Sequence, residues 1–229
     1  MIQFPAKHLK SLMPFKEETY GRYYLNSVRV EPHPEGGVIL IACNGRMMML
    51  IRDANAYCSE AATFKIGPDA SKYCGDKGGR LPVVTINPVT ERLVITGGPS
   101  GNELFIQPGK CMVAFKEGDK YPAWERVVPK FEQLKPAVAD TLNASYLVKA
   151  ANAHPLGRRH GMQATAIRLW QAAAGGAVAV EYDGAPGHML IIMPIIAQQS
   201  TETAMQGWRD AFGACVAIPT KSATTGGVA

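Results

Sequence analysis

No stretch of this chain is apolar for long enough to cross a bilayer. The longest strongly apolar run, Met189 to Ala197, contains Pro194 and falls well short of the roughly 20 residues that a spanning helix needs. No membrane segment is expected. The N-terminal Met1-Ile2-Gln3-Phe4-Pro5 lacks a basic region leading into an apolar stretch and a small-residue cleavage site, which argues against export. Cysteine is sparse: Cys43, Cys58, Cys74, Cys111 and Cys215 are odd in number and include no Cys-x-x-Cys pair. That pattern fits reduced thiols in a cytoplasmic compartment, not a disulfide framework or a zinc site.

Signals for catalysis are missing too. His8, His33, His154, His160 and His188 show no His-Glu-x-x-His or comparable spacing, so no metal site is expected. Gly97-Gly98-Pro99-Ser100-Gly101 lacks both the closing Gly-Lys-Ser/Thr of a phosphate loop and the Gly-x-Ser-x-Gly spacing of a nucleophile turn; a hairpin turn explains it. Asp76, Asp119 and Asp183 stand beside glycine or lysine in turns, where carboxylates are commonly solvated. The chain is therefore read as no enzyme, with no cofactor.

What is present is a globular composition. At 229 residues and 47% hydrophobic, the chain is long enough to bury one or two ordinary cores. The net charge of +5 and pI near 8.9 suit a polyanionic partner, but the basic excess is spread along the sequence. Only folding would gather it on one face.

Three rough copies of a helix-then-strands unit follow one another. In the first, Pro5 stands at a helix start, Ala6 to Met13 make about two turns, and Pro14 stops them. Tyr23 to Glu31 alternates as a strand, Pro32 to Gly37 turns, Val38 to Cys43 is a buried run, and Asn44-Gly45 signals a hairpin into Met47 to Arg52. The second unit has strands at Thr63 to Ile66, Leu81 to Ile86, Arg92 to Thr96 and Glu103 to Gln107, with a short helix from Asp69 to Tyr73. The third starts near Thr141, where Asn143 caps a helix through Ala153 whose inner face carries Tyr146, Leu147 and Ala150. Strands around Trp170, Val178 to Tyr182 and Met189 to Ile196 follow. Lys116 to Asp140, with Pro122, Pro129 and Pro136, reads as an interdomain connector. Thr201 to Ala214 makes an amphipathic helix bearing Met205, Trp208 and Phe212, before a Ser/Thr/Gly-rich end that reads as disordered.

Four separated stretches carry a resemblance: Arg22-Tyr23-Tyr24-Leu25-Asn26, Cys43-Asn44-Gly45-Arg46-Met47-Met48-Met49, Tyr121-Pro122-Ala123-Trp124-Glu125-Arg126-Val127-Val128-Pro129, and Leu190-Ile191-Ile192-Met193-Pro194. In this order they resemble segments of the bacterial beta sliding clamp, the processivity subunit of DNA polymerase III, over its middle domain and half of its last. The resemblance implies an α+β DNA clamp fold of repeated helix-plus-antiparallel-sheet units. It implies a complete clamp-like domain at 1–127, a partial second at 128–197 that begins with the proline-rich connector, and a tail at 198–229.

It also implies function: a cytoplasmic, homo-oligomeric processivity factor whose partners are duplex DNA and the clamp-binding peptides of polymerases or other replication proteins. The peptide groove would be formed by Leu25, Gly45, Arg46, Met47, Met48, Pro122, Val127, Ile191, Ile192, Met193 and Pro194. Its surface is apolar, and its methionines adapt to several partners. Inward-facing helices would offer Lys7, Lys10, Lys72 and Lys149 to phosphates, with Lys77, Arg80, Arg158 and Arg159 in adjoining loops, all in sequence-independent contacts. The alternative is a truncated clamp homologue that captures peptides without encircling DNA. The chain departs from the family's Thr-Asp-Gly-His-Arg-Leu turn with Cys43-Asn44-Gly45-Arg46-Met47-Met48, which alters the groove's polar rim. An incomplete last domain leaves open strand edges, so the third unit is expected to pair with another subunit or with the tail.

Overall fold

Turn chemistry and alternation divide the first unit into its strands. Val38–Cys43 and Met47–Asp53 are apolar runs on either side of Asn44-Gly45, and a run of that kind forms a sheet strand buried on both faces. The computed structural model describes residues 1–16, 25–67, 70, 74, 82–90, 92–96, 111–117, 121–136, 142–154, 166–172 and 176–193. These residues lie in one compact unit, Met1–Pro194; a second unit, Ile195–Ala229, lies outside them.

Along the chain come β1 (Ile2–Pro5), α1 (Ala6–Leu12) and a 3-10 turn (Met13–Phe15), then β2 (Val28–Pro32), β3 (Val38–Cys43), β4 (Met47–Asp53), β5 (Tyr57–Cys58) and β6 (Ala62–Ile66). Next are β7 (Val83–Asn87), β8 (Arg92–Thr96), β9 (Cys111–Glu117), two 3-10 turns (Trp124–Arg126 and Phe131–Gln133) and β10 (Lys135–Pro136). The last are α2 (Ala144–Asn152), β11 (Ile167–Gln171), β12 (Val178–Tyr182) and β13 (His188–Ile192).

The strands pair antiparallel in the order β10-β11-β12-β13-β4-β3-β2-β6-β9-β8-β7-β1-β5. One strand serves two sheets: Cys111, Met112 and Val113 pair with β8, while Ala114 to Glu117 pair with β6. At the other junction β13 pairs with β4 over five residues, from His188 opposite Ile51 to Ile192 opposite Met47. The third unit therefore joins its sheet to the first unit of the same chain. β4 offers an edge whose residues match β13 in length and apolarity, while β10 and β5 stand at the two ends of the order among the described residues. The architecture is α+β.

One apolar core runs beneath this sheet. Leu40, Met47, Met49 and Ile51 share it with Leu9 and Leu12 of α1, with Val84, Ile86 and Leu93 of the second unit, and with Val180, Tyr182 and Leu190 of the third. Each fully buried side chain of this size contributes about 1.5–3 kcal/mol relative to exposure. Helix α1 stands on β3 and β4, and α2 adds Tyr146, Ala150 and Ala153 to the same core. Asn143 caps α2 through its side chain, which accepts from the Ser145 amide at 2.9 Å. Gly37, at φ +78°, closes the turn between β2 and β3 against the backbone of Asp53 and Ala54, where a Cβ has no room.

Several boundaries differ from the sequence reading. Of the strand expected at Tyr23 to Glu31, Tyr23 and Tyr24 lie outside the described residues, Leu25, Asn26 and Ser27 form turns and bends, and β2 begins at Val28. Helix α1 gives way to a 3-10 turn at Met13, ahead of Pro14. Strands β1, β5, β9 and β10 are not among those expected from the sequence. The short helix at Asp69, the strand at Glu103 and the tail helix lie outside the described residues. Among those described, no helix is long and apolar enough to cross a membrane.

A polar cluster interrupts the core where the first and third units meet. His8 Nε2 lies 2.7 Å from Asp53 Oδ2, the His8 and His188 rings are 5.3 Å apart, and His154 meets Tyr182 edge-on at 5.3 Å. Burial lowers the His8 imidazole despite its carboxylate partner, and lowers His154 despite Asp183. It also takes His188, with help from His8 and Lys7, down to about 3. Burial pushes the Asp53 carboxyl up, but its hydrogen bonds to His8 and the Asn55 amide outweigh that and hold it low.

The sign of the linkage follows. An unfolded histidine titrates near 6.5, so below that pH the unfolded chain binds protons that the folded chain refuses. Stability is complete above about pH 6.5 and falls as pH drops toward the folded values. Urea denaturation at pH 7.5, 6.0 and 5.0 is expected to show a steadily falling midpoint. A flat midpoint across that range would contradict the buried neutral cluster.

Candidate functional site

The opposite face of the same strands is also apolar. Because side chains alternate, β3 turns Ile39, Ile41 and Cys43 outward, β4 Met48 and Leu50, β12 Ala179, and β13 Met189 and Ile191. These form a second cluster, with Trp170 of β11 at its side. The connector crosses this face and lays Tyr121, Trp124, Val128 and Leu134 on it. Trp124 is tied down through its indole nitrogen, which donates to Glu31 Oε2 at 3.3 Å. Glu31 in turn accepts from Arg29 Nε at 2.8 Å.

Coverage is incomplete at one end, which leaves an open pocket of about 210 Å³ lined by Leu25, Cys43, Gly45, Arg46, Met47, Met48, Tyr121, Pro122, Trp124, Val127, Ile191 and Met193. That is below the ~300 Å³ at which drug-sized cavities begin, and suits one or two side chains of a larger partner. Its floor is Met48 and Ile191, both buried, while Val127 and Met193 on its rim are 38% and 40% exposed. Half-open apolar side chains of this kind are available to a partner without first breaking the core.

The pocket's polar edge is built by the β3–β4 turn. Gly45 has φ +80°, a conformation that favours glycine. Asn44 Oδ1 accepts from the amides of Arg46 at 3.0 Å and Met47 at 2.8 Å. The Met193 amide then donates to the Arg46 carbonyl at 2.9 Å, which fixes the end of β13 to the turn. Two of the sequence stretches thus meet through a backbone hydrogen bond.

Nine of the eleven residues expected in the groove line this one pocket: Leu25, Gly45, Arg46, Met47, Met48, Pro122, Val127, Ile191 and Met193. Ile192 does not. It is one position out of phase with Ile191 and Met193, so the two-residue repeat sends it into the main core. Pro194 lies outside the described residues. Cys43, Tyr121 and Trp124 belong to the lining but were not singled out, although each stands inside a matched stretch. A second hollow of about 350 Å³, lined by Phe131, Trp170, Glu181, His188 and Met189 among others, had no sequence signal.

Of the basic residues expected to face DNA, Lys7 and Lys10 are exposed on α1 and Lys149 is exposed on α2. Both helices pack on the main core, opposite the pocketed face. Lys72, Lys77, Arg80, Arg158 and Arg159 lie outside the described residues. Among those described, no group of three histidine, cysteine or acidic side chains is placed to hold a metal ion.

Comparison with solved structures identifies the architecture. The chain is similar to the DNA polymerase III subunit beta of Borrelia burgdorferi, at 12% identity and TM-score 0.59, over 86% of this chain and 62% of that one. It is similar to the DNA polymerase sliding clamp of Pseudomonas aeruginosa, at 13% and 0.58, over 86% and 66%. The C. crescentus beta sliding clamp gives 14% and 0.59, over 86% and 65%. No protein-family model and no curated protein matches the chain. At this identity the likeness shows the fold, and the fold is that of the bacterial sliding clamps. The chain spans a little under two thirds of their length.

The pocket's floor and rim should respond differently to truncation. Ile191→Ala empties a fully buried site and is expected to cost about 2–5 kcal/mol, whereas Met193→Ala, at a half-open rim, should cost about 1 kcal/mol or less. Equilibrium denaturation of both variants checks this. Equal losses would mean that Met193 is as much a core residue as Ile191.

Proposed function

We propose that this protein is a clamp-like accessory factor of DNA replication that docks apolar peptide segments of polymerases or their partners in the pocket between β4, β13 and the connector. The observation that carries this reading is the convergence of nine groove residues from four distant stretches on one half-open apolar pocket. An accessible apolar pocket with a few polar groups at its edge is a natural place for a partner's side chains to bind, and the methionines Met47, Met48 and Met193 give it the adaptability that several partners require. Aliphatic and aromatic side chains of the partner would anchor there.

The test is titration of a fluorescein-labelled peptide bearing two leucines and a phenylalanine. Met193→Ala is expected to weaken binding by about 1–3 kcal/mol, and Met193→Lys to abolish it. Equal binding by wild type and the lysine variant would remove the groove from the function.

DNA is the second proposed partner. A sliding factor must contact phosphates and avoid base edges, so its binding should be weak, independent of sequence and steeply dependent on salt. Changing Lys7, Lys10 and Lys149 together to glutamate should reduce the log–log salt slope by about one unit per lost contact. Peptide binding should survive, because exposed charges contribute little to stability. Superimposable salt curves for the two proteins would mean that these helices do not face DNA.

A homo-oligomer is proposed for the encircling form. The second reading is a peptide-capturing module that does not encircle DNA. A monomer in sedimentation at micromolar concentration would select it.

A further inference from the structure

The outer face carries few polar groups, and most of those described are partnered. Trp124 donates to Glu31, Arg29 donates to Glu31 and to Thr63, and Trp170 Nε1 donates to Glu181 Oε2 at 2.8 Å. The Tyr121 hydroxyl is the exception: it is buried, and no described residue hydrogen-bonds it. Its ring lines the pocket and packs on the outer cluster. The side-chain atoms in the same position elsewhere belong to the histidine and tyrosine cluster under the other face.

A phenol hydroxyl is both donor and acceptor, and burying one without a partner costs free energy that a phenylalanine of nearly the same shape would not. Burial also pushes the phenol up, with Cys43 adding to the effect, so the group keeps its proton and remains a donor. An extended peptide in a groove presents a backbone carbonyl at every residue, each needing a partner once water is excluded. The unused donor and the incoming acceptors are complementary.

Resting on the reading of this pocket as a peptide groove, we propose that Tyr121 is its specificity residue: the hydroxyl donates a hydrogen bond to an oxygen acceptor of the docked peptide. The bond thereby sets the register of the bound segment, because one particular oxygen is held beside the apolar anchors. Sites built around a hydrogen bond discriminate more sharply than apolar pockets do, because the wrong ligand leaves a polar group unpaired.

The experiment pairs affinity with stability in Tyr121→Phe, using the same leucine and phenylalanine peptide and Met193→Lys as the control for the groove. The expected result is an affinity loss of about tenfold with an unchanged or raised melting midpoint, since the substitution removes an unpaired hydroxyl from the free protein. Unchanged affinity in Tyr121→Phe, while Met193→Lys abolishes binding, would overturn the role of Tyr121 and leave the groove standing. A clearly lowered melting midpoint would also overturn it, by showing that the hydroxyl has a structural partner within the fold. Equal binding by wild type and Met193→Lys would defeat the groove itself, and this inference with it.

Discussion

The pairing of β4 with β13 is the contact on which the rest of this structure depends. It makes one sheet of strands from the first and third units, His188 to Ile192 lying against Met47 to Ile51. The histidine cluster and the pocket both lie along that seam. On one face it brings His8 and Asp53 to His188; on the other it sets Met48 beside Ile191 and Met193 beside the glycine turn. Antiparallel pairing holds both faces in register at once, since a slip by one residue would exchange them.

The seam is apolar on both sides, which explains the connector. Met47, Met48, Met49, Leu50 and Ile51 are buried at every position, a pattern expected of a strand covered from above and below. Helix α1 and the main core cover one side. On the other side no helix is available among the described residues, and the proline-bearing connector takes that place with Tyr121, Trp124, Val128 and Leu134. A connector of short 3-10 turns separated by prolines contributes side chains at intervals, so it covers a face less completely than a packed α-helix. The pocket is where that coverage stops.

Much of this was readable from residue pattern alone, for local reasons. Val38 to Cys43, Arg92 to Thr96 and Val178 to Tyr182 are strands at the expected boundaries because turn residues flank apolar runs of strand length. Asn143 marks the start of α2 because its side chain has a definite task there. Strand β1 went unread because four residues before a helix start give too little alternation to count. The role of β9 in joining two sheets is likewise set by partners distant in sequence. In the pocket, residues of four matched stretches meet, but phase within a strand decides the individual residues, so Ile191 and Met193 line it and Ile192 does not. The histidine cluster was invisible, since His8, Asp53, His154 and His188 come together only through the seam.

The hydrogen bond between the Met193 amide and the Arg46 carbonyl also sets an order of events during synthesis. Residues 1–53 hold the turn and Met48 of the pocket's floor, and the connector adds Val127 to its rim, yet Ile191 and Met193 arrive only with the end of the described chain. A ribosome adds residues one at a time, and long-range pairings close slowly because the intervening chain must first be ordered. Until β13 is made, β4 is an uncovered apolar edge, open to pairing with the wrong strand. Closure of the pocket and protection of that edge are therefore reached in the same step, when the last strand of this unit is made.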